Sequence, residues 1–409
     1  MRPEVTAIRA QFPAFGRRVN GDVVAYFDAP GGTQVPGSVA AAVSDYLLHH
    51  NANTHWAYPT SVETDAIIAG ARAAAADLLG ARPHEISIGA NMTTLTFHVA
   101  RGLGRAWGAG DEIVVTDLDH HANIAPWEAI ARERGLTLRR APLDADRTGL
   151  DIGALERLIG PRTRLVAVGA ASNAIGTITD VAAVSEIAHA HGALLFVDAV
   201  HYVPHRLADV TALGADLLAC SAYKFHGPHV GLLYVRQELA TGIETPRLAP
   251  APSTAPERFE TGTLDHEGVA GVTAAVGFLA GLGGTGGERR QRLARGFAWL
   301  HAEGERLFER MWNGLGGVRG VKLYGRAPGG GPRTPTVAFT VGAVPSDRVA
   351  QFLAARGVFV SSGDFYAATV VERLGLGGQG LVRAGCACYS TDEEVDRLVA
   401  GVREFSAAS

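Results

Sequence analysis

Lysine is nearly missing from this 409-residue chain: Lys224 and Lys322 are its only two, although lysine and arginine together number 37. Arginine therefore carries the positive charge, and a lysine kept in such a chain suggests a task for an amine. Cysteine is scarce as well. Cys220, Cys386 and Cys388 are too few for a disulfide framework, and their C-x-C pair lacks the second pair that a zinc site needs. No apolar run approaches the ~18 residues of a membrane span, and the opening "MRPEVTAIRAQFPAF" holds no apolar signal core. The net charge of -4 comes without a basic stripe, which argues against nucleic acid. These absences lead to the expectation of a reduced, cytoplasmic protein with neither a membrane nor a nucleic-acid partner.

What is present is apolar and periodic. Hydrophobic residues make up 47% of the chain and the mean hydropathy is +0.10, so a substantial core is expected. "SVETDAIIAGARAAAADLLG" reads as a helix with Ser61 as N-cap and a stop at Gly80; Ile67, Ile68, Ala71, Ala75 and Leu78 share one face. "DEIVVTD", "RTRLVAVGA", "ALLFVDAV", "ADLLACSA" and "VGLLYVR" read as buried strands, with helices at "NIAPWEAIARERG" and "VAAVSEIAHAHG" between some of them. Such strands, apolar on both faces and separated by helices, predict a parallel sheet covered on both sides, with ligands at the strands' carboxyl ends.

"GLGGTGGERR" follows a helical stretch and reads as a connector. A long helix to about Trp312 is expected next, then strands "GVKLYG", "TVAFTV", "VFVSS" and "GLVRAGCA", a helix at "SDRVAQFLAARG", and a last helix opened by a Thr391/Glu394 capping box.

Polar residues stand where the strands end. Asp198 closes "ALLFVDAV" after five apolar residues, a costly place for a carboxylate unless it meets a cation or strong donor. A protonated pyridine nitrogen is one such partner. Lys224 follows the next strand, where its amine could form a Schiff base with an aldehyde. Ser221 and Tyr223 beside it offer hydroxyls to a phosphate.

In order along nearly the whole chain, these segments resemble the class V aminotransferase-fold enzymes that use pyridoxal phosphate (PLP), in their cysteine desulfurase and selenocysteine lyase branch. "YFDAPGGTQVP", with Ala29, is similar to that family's "YLDNAATTQKP", and "NANTHWAYPTSVETD" to "NVHRGIHTLS", which aligns His55 with the family histidine. "DLDHHANIAPW" resembles "EHHANIVPW", implying that His120 stacks on the cofactor ring. "ASNAIGT" resembles "SNVLGT", implying that Asn173 lies near the ring hydroxyl or the substrate. From "VDAVH" and "VDGAQ" the resemblance implies Asp198 on the pyridine nitrogen and His201 beside the ring hydroxyl. "FETGTLD" resembles "FEAGTPN", implying that Thr263 reaches a phosphate across a homodimer interface. "VRAGCACYST" resembles "VRASLALYNT", implying that Arg383 clamps the substrate α-carboxylate. The phosphate turn "GATE" stands here as "GANM", with Asn91 and Met92 in it.

The fold so implied is the α/β PLP-dependent transferase fold type I, with a large domain around a mostly parallel sheet of the seven-stranded type and a small C-terminal α+β domain. The expected division is an N-terminal segment, 1–30, packed on the small domain, a PLP-binding domain over 31–284, and the small domain over 285–409. The departures bear on chemistry. The desulfurase loop "RAGHHCAQP" carries the thiol that accepts sulfur as a persulfide, whereas here "VSSGDFYAATVVERLG" places Tyr366 at that position. Tyr223 replaces the histidine of "SGHK", a "YK" pair that resembles kynureninases.

The expected catalytic residues are Lys224, His120 and Asp198, acting on an amino acid by carbon–sulfur β-elimination of the cysteine desulfurase-like kind. An aminotransferase and an amino-acid epimerase are the alternatives on the same fold. A PLP-binding scaffold without catalysis and a metal-dependent phosphoesterase built on Asp117, Asp119, His120 and His121 stand outside it. The latter lacks a matching set of aspartates on neighbouring strands, and His49, His50 and His55 lack a ligand spacing, so no metal is expected.

Overall fold

The computed structural model of the protein describes residues 2–408. Seven strands form the main sheet: β1 (Ile86–Gly89), β2 (Glu112–Thr116), β3 (Thr137–Ala141), β4 (Thr163–Gly169), β5 (Leu194–Asp198), β6 (Leu217–Ser221) and β7 (Gly231–Val235). Their order across the sheet is β1-β7-β6-β5-β4-β2-β3. From β3 to β6 all neighbours run parallel, while β7 is antiparallel to both β6 and β1. The sheet is thus mostly parallel, with one reversed strand.

Alternation along the strands divides the interior into two cores. Val114, Val166, Val168, Leu195, Val197 and Leu218 join one face. Ile113, Val115, Leu165, Ala167, Phe196 and Leu217 join the other. With a period of two and no polar face, every side chain of β2 and β6 is buried. The helices Pro59–Leu79, Val181–Ala190 and His266–Gly281 cover the first core, and Met92–Gly104 and Ala125–Arg134 the second.

Two strands of the main sheet escaped the sequence reading. β1 is only four residues long, and β3 is an edge strand whose Arg139 and Arg140 pair with Glu112 and Glu128 instead of facing a core. The Pro59–Leu79 helix corrects the expected start at Ser61. Proline, whose missing N–H costs nothing in the first turn, opens it two residues earlier. Ser61 is buried inside the helix and accepts the N–H of Trp56 at 2.9 Å. Gly80 ends it in the left-handed region (φ 71°), as expected.

The long Arg289–Gly316 helix overruns the expected Trp312 and leads into an antiparallel sheet ordered Val321–Tyr324, Thr336–Val341, Leu381–Gly385, Ser361–Gly363. "VFVSS" is split. Val358–Phe359 pairs in parallel with Ala25–Tyr26 near the N-terminus, while Ser361–Gly363 pairs with Leu381–Gly385. Arg9 meets Glu394 at 2.9 Å, a further tie between the chain's two ends. In the last helix, Thr391 accepts the N–H of Glu394 at 3.2 Å and Glu394 that of Thr391 at 3.0 Å, which is the expected capping box.

Candidate active site

At β2 and β4 the strand order switches direction, the place where an open α/β sheet leaves a crevice beyond its carboxyl ends. A cavity of about 310 Å³ occupies it, within the usual range for small-ligand sites. It is lined from Ala90–Thr93 after β1, Asp119 and His120 after β2, Gly169, Ala171 and Asn173 at β4, Asp198, Val200 and His201 at β5, and Ser221, Tyr223 and Lys224 at β6. Nine of the expected site residues thus converge: Asn91, Met92, His120, Asn173, Asp198, His201, Ser221, Tyr223 and Lys224.

Lys224 sits in a 3₁₀ turn directly after β6. Its Nζ donates to the carbonyls of Pro30 at 2.7 Å and Gly31 at 2.9 Å. Burial pushes the amine down to about 7, and the Arg383 charge adds to the shift against the pull of Asp198 and Asp28. Asp198 closes β5. One oxygen accepts the N–H of Val200 at 2.9 Å, and among the described residues no cation pairs with it. Burial therefore raises this carboxyl to about 6. Asp119, further held by the N–H of Gly169 and the amide of Asn123, is pushed to about 7 by burial, with the Asp198 charge contributing.

His120 accepts the N–H of Ala122 on Nδ1 at 2.9 Å, which fixes the Nε2–H tautomer. Burial and the Lys224 charge take it down to about 4, so the ring is neutral. His201 commits Nε2 to Thr334 and Thr336 at 3.0 and 3.2 Å, and burial holds it neutral too. Asn173 donates its amide to the carbonyl of Phe365 at 2.9 Å, while its own Oδ1 is buried without a partner.

At the other end of the cavity the Met92–Gly104 helix begins. Asn91 caps it by accepting the N–H of Thr94, and Ser221 Oγ accepts that of Met92 at 2.9 Å. Gly231 must be glycine here, since a Cβ would come within 2.5 Å of the Asn91 backbone. Ser221 and Tyr223 line the cavity beside this helix N-terminus, whose backbone N–H groups suit an anion.

The remaining expected residues lie elsewhere. Arg383, on the Leu381–Gly385 strand, is buried and reaches the site by donating to the carbonyl of Asn173 at 2.7 Å. Ala29 is buried one residue before Pro30 and only its neighbours' carbonyls touch Lys224. Tyr366 is 75% exposed, with its ring 5.6 Å from that of His120. His55 lies outside the lining of this cavity: its side chain is 81% exposed, at φ 66°, and pairs with Asp65 at 3.1 Å. Thr263 is exposed and lines a separate groove with His98 and Arg101.

Sequence reasoning missed His229, which lines the cavity and stacks on Tyr223 at 4.8 Å. It also missed Phe365, whose ring lies 4.0 Å from the Arg383 guanidinium carbon. The phosphoesterase reading is not supported: Asp117 pairs with Arg373, and no cluster of three metal-ligating side chains occurs among the described residues.

The site's donors and acceptors suit pyridoxal phosphate. Among the described residues the buried Asp198 carboxylate makes no ion pair and Asn173 Oδ1 has no donor, so the two would answer a ring N–H and a ring hydroxyl, and the helix N-terminus a phosphate. Comparison with known proteins agrees. Residues 25–398 match the model of aminotransferase class-V. A cysteine desulfurase of Klebsiella pneumoniae is 35% identical over 418 residues, covering 98% of both chains. The apo structure of a cysteine desulfurase from Thermococcus onnurineus NA1 superposes with a TM-score of 0.88 at 30% identity, over 100% of this chain and 99% of that one. A C-DES variant with glycine covalently linked to PLP shares the fold at TM-score 0.79 and 24% identity, over 97% and 99% of the two chains. The chain belongs to the class V aminotransferase family, and is a cysteine desulfurase-like, PLP-dependent enzyme.

Proposed function

We propose that the protein is a carbon–sulfur β-lyase acting on cysteine or a close relative, and that it works without a persulfide. The observation that carries this reading is the state of its thiols. All three cysteines are buried, and burial pushes Cys386 up to about 12 and raises Cys220 and Cys388 as well. Tyr366, and no thiol, stands over His120.

In this reading Lys224 would hold the cofactor's aldehyde, and its amine, once free, would take the proton from the substrate Cα. Asp198 partners the pyridine nitrogen, the neutral His120 ring covers the ring face, and Asn173 and His201 serve the ring hydroxyl. The Asn91–Met92 backbone with Ser221 and Tyr223 holds the phosphate. Arg383 receives the substrate carboxylate. When bound, PLP supplies an electron sink for the pair left at Cα. The Cβ–S bond then breaks with its electrons on sulfur, and with water the products are hydrogen sulfide, pyruvate and ammonia. A homodimer in which Thr263 completes the partner's phosphate subsite, in a reducing cytoplasmic setting, belongs to the same proposal.

The test is product analysis of the holoenzyme with L-cysteine. Pyruvate and sulfide in equal amounts, with the protein mass unchanged, are expected. Sulfur retained on the protein, a keto acid that keeps its sulfur, or solvent deuterium at Cα as the only change would each overturn the lyase reading.

Lys224 gives a further expectation. Only a neutral amine attacks an aldehyde, and a pKa lowered to about 7 leaves it neutral above that value. The rate at which apo-protein captures PLP should rise with pH up to about 7 and then level off. Stopped-flow absorbance would show it; a rate still climbing towards the ordinary lysine range would contradict the shift.

A further inference from the structure

The residues Asp364–Ala367 stand where the desulfurases' loop carries its thiol, and their conformation is unusual. Phe365 (φ 56°) and Tyr366 (φ 55°) are consecutive aromatic residues in the left-handed region, after Gly363 at φ 110°. Bulky side chains rarely accept such a backbone unless their surroundings hold it. Here the site itself does so. The carbonyl of Phe365 accepts the Asn173 amide at 2.9 Å, and that of Tyr366 accepts the N–H of His121 at 2.7 Å. Asp364 accepts the N–H of Tyr366 at 2.9 Å. The helix that follows is tied down by Thr369 on His121 at 3.3 Å and Arg373 on Asp117 at 2.9 Å.

This strap brings the Phe365 ring to 4.0 Å from the guanidinium carbon of Arg383. Nη1 of that arginine is taken by the carbonyl of Asn173 at 2.7 Å. Among the described residues Nη2 meets only Ser361 Oγ, at 3.4 Å, and the buried Nε has no partner. The Nε–Nη2 edge is therefore the one left for a planar carboxylate, and a bidentate contact needs the guanidinium held in one plane.

We propose that Phe365 is a positioning residue for substrate recognition: its ring, locked by the strap, stacks on Arg383 and holds the Nε–Nη2 edge ready for the α-carboxylate. The proposal rests on the reading of Arg383 as the carboxylate clamp. Asn173 couples the two parts, since its carbonyl binds Arg383 and its amide binds Phe365. A flat π-face is what the contact uses, so tyrosine keeps it and leucine does not.

The experiment compares wild-type holoenzyme with F365L, F365Y and R383A. For F365L, KM for L-cysteine is expected to rise about tenfold while kcat stays within about twofold. Calorimetric affinity for propionate, an unreactive carboxylate, should fall by about the same factor. Propionamide, which lacks the charge, should bind wild type and F365L alike, and F365Y should restore both values. Unchanged KM and propionate affinity in F365L, or equal losses for propionate and propionamide, would overturn the proposal. Wild type that does not bind propionate, or binds it no better than R383A does, would instead sink the clamp itself.

Discussion

Lys224→Ala is expected to lower turnover by about 10²–10⁴-fold and to remove the visible absorption of the lysine-bound cofactor. Both losses follow from one amine in two tasks. In the proposed reading it holds the aldehyde and, once released, acts as the base at Cα. No other lysine can substitute, because Lys322 lies on the Val321–Tyr324 strand, stacked on Tyr324. The hydrogen bonds of Lys224 to Pro30 and Gly31 keep its Nζ in place, and its lowered pKa leaves a large neutral fraction at physiological pH. Small added amines should return part of the turnover in the Ala variant, since the cavity left by the side chain admits a free base. A variant that keeps full absorbance and full turnover would contradict both roles.

Asp198→Asn should cost about 10²–10³-fold in turnover at saturating cofactor, the usual price of losing one preorganised electrostatic contact in a closed site. The amide can still accept from the N–H of Val200, so the β5 end keeps its shape and only the charge is lost. Two signs follow from that charge. Asp198 raises the Lys224 pKa, so the variant should capture PLP with a midpoint below about 7. The folded carboxyl stands at about 6, above its ordinary 3.8, so ionisation favours unfolding between those values and the penalty is complete above about 6. The apo variant should therefore melt higher than apo wild type at neutral pH while being the poorer enzyme. Scanning calorimetry and steady-state kinetics would check the two halves separately.

The parts that were legible in the sequence share a physical cause. β2, β4, β5, β6 and β7 each hold an apolar run because both of their faces are covered there, and a polar residue ending such a run stands out. Asp198 and Lys224 were visible for that reason. β1 and β3 were not, since one is too short and the other lies at an edge where its arginines pair with carboxylates. Ser61 misled because a serine near a helix start resembles a cap, while the proline two residues earlier takes the first turn. His55 matched a family segment but faces outward with Asp65. Phe365 could not have been found from the sequence: its contact with Arg383 depends on two consecutive left-handed residues, and aromatic side chains give no local signal for that conformation. His229 belongs to the same class, because only the fold brings it back onto Tyr223.

The central claim is a covalent bond between Lys224 and PLP, and the scarcity of lysine makes it easy to test. Holoenzyme reduced with borohydride, digested and mapped by mass spectrometry should carry a pyridoxyl group on the peptide containing Lys224 and on no other. A label on Lys322, or none on either lysine in a protein that still turns over its substrate, would contradict the account.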